Sequence, residues 1–132
     1  MTSIDLAPAR LSISAISSLA VGAVVLALHL TVRLFSGFAW NGMNNGGFDP
    51  GVILGVLGLL SILPILGAIA LGHVGFLATR PGGKRGRTRA VIGLTLGYVL
   101  FVLYLNRLGV DLIWATQTGQ WGDLVTNFFW WA

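Results

Sequence analysis

Residues 52–77 read VILGVLGLLSILPILGAIALGHVGFL, a run with no Asp, Glu, Lys or Arg. At 1.5 Å per residue such a run extends roughly 39 Å as a helix, enough to cross a hydrocarbon core of about 30 Å with some tilt. Its only ionisable side chain is His73. Pro64 stands near the middle; it removes one backbone donor and crowds the preceding turn, so a kink is expected there. The stretch predicts a membrane-spanning helix over 52–79.

The charge lies just beyond it. RPGGKRGRTR, residues 80–89, holds Arg80, Lys84, Arg85, Arg87 and Arg89, five of the chain's eight basic residues. The whole chain is 55% hydrophobic and 9% charged, against roughly 25% charged in an ordinary soluble domain. After the basic stretch comes AVIGLTLGYVLFVLYL, 90–105. It is slightly short for a span and is read as continuing through NRLGVDLIWA to residue 115, with Arg107 and Asp111 four apart on one face. Upstream, LSISAISSLAVGAVVLALHLTVRLF covers 11–35. It is longer than a signal-peptide core and ends in poor cleavage chemistry, so it reads as a retained span. The 132 residues thus divide into a short N-terminus (1–10), a first span (11–35), a loop (36–51), a second span (52–79), the basic loop (80–89), a third span (90–115) and a tail (116–132).

The loop SGFAWNGMNNGGFDPG has the Asn, Gly and Pro content of turns. In the tail, Trp121, Leu124, Val125, Phe128 and Phe129 recur at helical spacing, with Gln120, Asp123, Thr126 and Asn127 opposite. That pattern predicts a short amphipathic helix lying in the membrane interface; the alternative is an irregular tail with a few covered aromatics. The expected fold class is therefore all-α: an integral membrane protein of three transmembrane helices and a short C-terminal interfacial helix.

Basic residues in short loops are retained on the cytoplasmic side. The loop 80–89 carries five positive charges and the loop 36–51 one negative charge. This predicts a multi-pass protein of a bacterial plasma membrane, with its N-terminus cytoplasmic and its C-terminus extracytoplasmic. All five tryptophans (Trp40, Trp114, Trp121, Trp130 and Trp131) then fall on the outer side, where their amphipathic rings would anchor at headgroup level. The basic stretch is first a topology signal and next a candidate site for anionic phospholipid, through Arg80, Lys84, Arg85, Arg87 and Arg89. Nucleic acid is not an expected partner: the cluster is one short loop with no interleaved aromatics and no binding fold to present it.

Small residues lie at helix-packing spacing. Gly51 and Gly55 form one G-x-x-x-G pair, Gly93 and Gly97 another, and Ala68, Gly72 and Gly75 extend the pattern. Such positions let helix backbones approach closely, so that packing replaces the hydrophobic drive that lipid does not supply. A tight antiparallel hairpin of spans two and three is expected, with span one, which carries Ser12, Ser14, Ser17, Ser18 and Gly22, attached more loosely.

The stretch LGHVGFLATRPGGKRGRTRAVIGLTLGYV, with Gly72, His73, Gly86, Arg87, Ala90, Gly93, Leu96, Gly97 and Tyr98 at its characteristic positions, resembles the small actinobacterial membrane domain known as domain-of-unknown-function family 4190. The resemblance covers about residues 51–105 and leaves out span one and the Trp-rich tail. It implies a glycine-rich helix, a basic loop and a second helix in an actinobacterial plasma membrane. The family has no settled activity, so no catalytic residue follows from it.

Candidate chemistry is sparse. The chain has no cysteine and no glutamate, and its aspartates are Asp5, Asp49, Asp111 and Asp123. Disulfides, thiolate metal sites and paired-carboxylate catalysis lack raw material. No phosphate-binding loop, nucleophile elbow or zinc-protease motif occurs. The intramembrane polar candidates are His29 and Arg33, four apart in span one, and His73 in span two. Arg33 is expected to reach toward water at the outer end, while His29 needs a protein partner. With the two histidines assigned to opposite leaflets, a metal site is not expected, and Asp49 alone is too little for calcium. No enzyme activity, cofactor or metal is expected. The leading functional expectation is a structural, accessory or scaffold subunit that packs against lipid and partner membrane helices, or against itself as a homo-oligomer, in a respiratory or envelope complex. The alternative is a homo-oligomeric transporter or channel using His29 and Arg33.

Overall fold

A computed structural model of the chain describes residues 11–40, 50–79 and 85–121, with backbone alone for 32–40 and 50–54. The described residues form four helices: α1 (Ile13–Trp40), α2 (Pro50–Leu60), α3 (Ile62–Ala78) and α4 (Arg87–Thr118). Three segments are long and apolar enough to cross a membrane: Ile13–Thr31, Gly55–Ala78 and Arg87–Thr118. The tail helix read over 116–132 lies outside the described residues from 122 onward, as does Asp49 of the first loop.

The second span is α2 and α3 in series. The interruption falls at Ser61, one turn before Pro64. Proline has no N–H for the carbonyl four residues back, and its ring crowds that carbonyl, so the disturbance lands upstream of the ring. Ser61 keeps right-handed helical dihedrals (φ −63°, ψ −14°), and its N–H is shared between the Leu57 and Gly58 carbonyls at 3.0 and 3.2 Å. The Leu59 carbonyl receives the Tyr104 hydroxyl of α4 at 3.1 Å. A neighbouring helix thus supplies a donor beside the break, one carbonyl before Leu60, whose helical N–H Pro64 removes; partners of this kind make an interrupted helix tolerable in a medium without water.

Helix α1 runs to Trp40, five residues beyond Phe35. Ser-Gly-Phe-Ala-Trp contains no proline, and the Asn-Gly turn signal comes only at Asn41. Helix α4 spans 32 residues. It starts after Gly86, at φ +118°, and stops at Gly119, at φ +73°, where the Gly119 N–H meets the Ala115 carbonyl at 2.9 Å. Left-handed backbone at both ends is where glycine avoids a Cβ clash.

α1, α3 and α4 pack mutually into a three-helix bundle. Leu11 pairs with Arg85 in a parallel bridge, with the Ser12 N–H bonded to the Arg85 carbonyl at 3.0 Å. α1 and α4 therefore start at the same end and run parallel, with α3 antiparallel to both. The centre holds Val25, Ile65, Leu100 and Tyr104, bordered by Val21, Leu59, Ile69, Leu96 and Leu103 among others. Large apolar side chains such as Ile13, Leu63 and Val102 point outward, 79%, 65% and 62% exposed, a surface suited to lipid rather than water.

Span one differs from its expected loose attachment: it is a full member of the bundle. A Cβ built on Gly75 would lie 2.8 Å from the Ala15 backbone, and one on Gly93 would lie 2.7 Å from the Leu19 backbone nitrogen. Ser18 donates its hydroxyl to the Ala68 carbonyl of α3 at 2.8 Å. The serines of span one are small enough to let its backbone enter the seam.

Candidate functional site

The two ends of the bundle are chemically unlike. Arg85, Arg87 and Arg89 project at the end where α1 and α4 begin, and all three are exposed. Arg80 and Lys84 lie outside the described residues. The Arg87 guanidinium lies over the Phe76 ring of α3, 4.8 Å from its centroid, a cation–π contact that holds the charge against the helix pair. At the opposite end are Trp114 and Trp121, 39% and 55% exposed. α1 is parallel to α4, so its last residue, Trp40, belongs to that end too. The Trp40 side chain, and Trp130 and Trp131 entirely, are outside the described residues. Among the described residues, then, the cationic cluster and the tryptophan groups sit at opposite ends of one bundle.

The helix-packing glycines divide their work. Gly97 of α4 faces α3, where a Cβ would meet Ile69 Cγ1 at 2.9 Å. Gly72 of α3 faces both Leu94 of α4 and Ser18 of α1, each at 3.0 Å from such a Cβ. Gly93, expected to serve the α3–α4 hairpin, instead faces α1 at Ser18 and Leu19. Gly55 is buried, and for Gly51 only the helical backbone is described. Sequence reading missed Ser18 as the meeting point of the three helices. The signal was present in the spacing of Ser14, Ser18 and Gly22, four apart each time, which is the same small-residue stripe written with hydroxyls.

The polar candidates separate by level. His29 is buried, with 8% exposure, and its Nδ1 lies 2.6 Å from the Val25 carbonyl. A carbonyl only accepts, so Nδ1 carries the proton. Arg33 is on the same helix one turn on, with its side chain outside the described residues. His73 makes the same local bond, Nδ1–H to the Ile69 carbonyl at 3.0 Å, but it is exposed on the bundle surface. Its Nε2 faces the Tyr98 hydroxyl at 3.4 Å, with the rings edge to face at 5.9 Å and 80°. Gly72 stands beside Ser18, and His29 lies eleven residues beyond Ser18, about 16 Å along the helix. The structure thus keeps the two histidines apart. Among the described residues no group of three His, Cys, Asp or Glu side chains could hold a metal ion. Arg107 and Asp111, paired in the sequence reading, form an ion pair at 3.0 Å with both side chains largely covered.

No family model, curated protein or solved structure matches the chain.

Proposed function

We propose that the chain is a small membrane subunit with a structural, accessory or scaffold role, which carries no catalysis of its own and works by packing against partner membrane helices and anionic lipid. The observation that carries this reading is the seam around Ser18. The close contacts of Gly72, Gly75, Gly93 and Gly97 are spent on holding three helices together, and the bundle turns a broad apolar surface outward. A rigid apolar body of this kind offers partner helices a preformed surface, so association costs little ordering.

The positive-inside rule orients it with the N-terminus and the basic end in the cytoplasm and the tryptophans outside, where the tail helix would lie in the interface. The resemblance over residues 51–105 points to an actinobacterial plasma membrane, with a respiratory or envelope complex as one concrete setting. The rival reading, a homo-oligomeric transporter or channel using His29 and Arg33, needs His29 on a pathway between copies. The burial of His29 within one bundle favours the accessory role.

Purification of the tagged chain from native membranes in mild detergent, with mass spectrometry of all that remains bound, tests the proposal. Stoichiometric foreign membrane subunits are the expected result. Recovery of the chain alone as a defined oligomer, with proteoliposome flux abolished by His29→Ala, would establish the rival instead.

A further inference from the structure

Two side-chain contacts bridge the same pair of helices on the outside of the bundle. Arg87 of α4 lies on Phe76 of α3, and three residues deeper on α3, His73 meets Tyr98 of α4. Residues three apart share a helix face, so Phe76 and His73 stack one turn apart along a single α3–α4 groove. Side chains in a helix lean toward its N-terminus, which tips Tyr98 back toward the basic end. Both His73 and Tyr98 are exposed, although their backbone positions lie within apolar helix. Tyr98 is eight residues inside Ala90, about 12 Å along the axis.

An ionisable ring and a phenol on an otherwise apolar outward face are costly in bare hydrocarbon. The arrangement makes sense with an occupant that is anionic at the Arg87 level and offers acceptors just beneath. Asp111, the only carboxylate among the described residues, is in the other half of α4, so nothing described at this end competes for the guanidinium. The His73 Nδ1–H is committed to the Ile69 carbonyl, so neutral His73 can only accept at Nε2. The Tyr98 O–H is then the pair's one donor, and its 3.4 Å separation from His73 is long for an O–H donor, so a better acceptor can take that hydrogen.

The geometry points to a binding groove for one anionic phospholipid on the α3–α4 face. Its phosphate sits on Arg87, an ester carbonyl takes the Tyr98 hydrogen, and its acyl chain follows the apolar surface beyond. This rests on reading the chain as membrane-spanning and deepens the proposed lipid contact from a diffuse charge effect to a site. A zwitterionic lipid would keep the phosphate but lose net attraction. A free phosphate would lack both the ester and the chain.

The test uses the full chain in nanodiscs of mixed phosphatidylglycerol and phosphatidylcholine, extracted into mild detergent and weighed intact to count retained lipids. Wild type is expected to retain phosphatidylglycerol preferentially, and Arg87→Gln to reduce that preference about fivefold, the value of one basic residue at an anionic surface. Tyr98→Phe, which preserves the ring, is expected to reduce retention as well. Arg89→Gln, two residues around the helix from Arg87, is expected to leave it unchanged. Equal effects of Arg87→Gln and Arg89→Gln would overturn the site in favour of diffuse charge. Unaltered retention in Tyr98→Phe would overturn the ester contact. Displacement of the lipid by inorganic phosphate would show an anion site and no lipid groove. A changed oligomeric state in Tyr98→Phe would give the face to a second copy. None of these outcomes depends on whether foreign subunits co-purify, so the groove and the accessory role fail separately.

Discussion

At the scale of single residues, what matters is what a glycine touches. Gly75 and Gly93 face the backbone of α1, which cannot retreat without moving a helix. Gly67 has nothing within 4 Å of an added Cβ. The expected outcome is a sharp contrast between identical substitutions. Gly75→Ala and Gly93→Ala should each destabilise the bundle by about 1–3 kcal/mol, the usual cost of overpacking. Gly67→Ala should be neutral or stabilising by up to about 1 kcal/mol through helix propensity. Thermal loss of helicity in detergent measures all three, and equal effects at Gly67 and Gly93 would remove the seam from the account. The glycine spacing was legible in the sequence, but the partner of each glycine was not. A G-x-x-x-G pair declares a close approach without saying to which helix, and Gly93 was assigned to α3 when it meets α1. Ser18 was read only as part of a loosely attached span; its bond to the Ala68 carbonyl depends on a neighbour fifty residues away.

At the scale of an element, the interrupted second span is the instructive one. Pro64 announced a disturbance in the sequence, and the Arg107–Asp111 spacing announced an ion pair, because both are local rules of the helix. The donor that arrives beside the break is not local. The Tyr104 hydroxyl reaches the Leu59 carbonyl from another helix, and no pattern within either segment foretells it. If the tyrosine compensates for the proline, the two should be coupled. Tyr104→Phe should cost on the order of 0.6 kcal/mol, the average for a hydrogen bond between membrane helices, and less than that in a Pro64→Ala background, where a helix without the proline's distortion draws the Leu59 carbonyl back onto its own N–H ladder. A double-mutant cycle read by denaturant unfolding gives the coupling, and strict additivity would mean that the hydroxyl is indifferent to the break.

At the scale of the whole molecule, the separation of the basic cluster from the tryptophans makes orientation testable. The chain has no cysteine, so single cysteines report position without background. A cysteine at Thr118, beside the tryptophans, is expected to react with an impermeant maleimide on intact cells, and one at Thr88 only after permeabilisation. The reverse pattern would invert the proposed topology and leave the bundle intact. Three apolar runs made the helical class legible from the outset, because membrane-spanning length is written directly in composition. The bundle's closure was not legible, since the Leu11–Arg85 bridge joins a stretch read as the plain start of a span to one read as a solvated loop. That bridge and the seam around Ser18 carry a consequence for biogenesis. The partners of α1 and of the two residues before it include Ala68, Gly72, Gly75, Arg85 and Gly93, so on the ribosome its docking surfaces are synthesised long after α1 itself. On the proposed membrane-spanning reading, α1 would enter the bilayer before any of these partners, shielding its serine hydroxyls with its own backbone or the translocon, and the described bundle would lock only when α4 arrives. Closure of the bundle would therefore wait on α4, and a ribosome stalled before residue 93 would leave an inserted but unclosed hairpin, the form most exposed to membrane quality control.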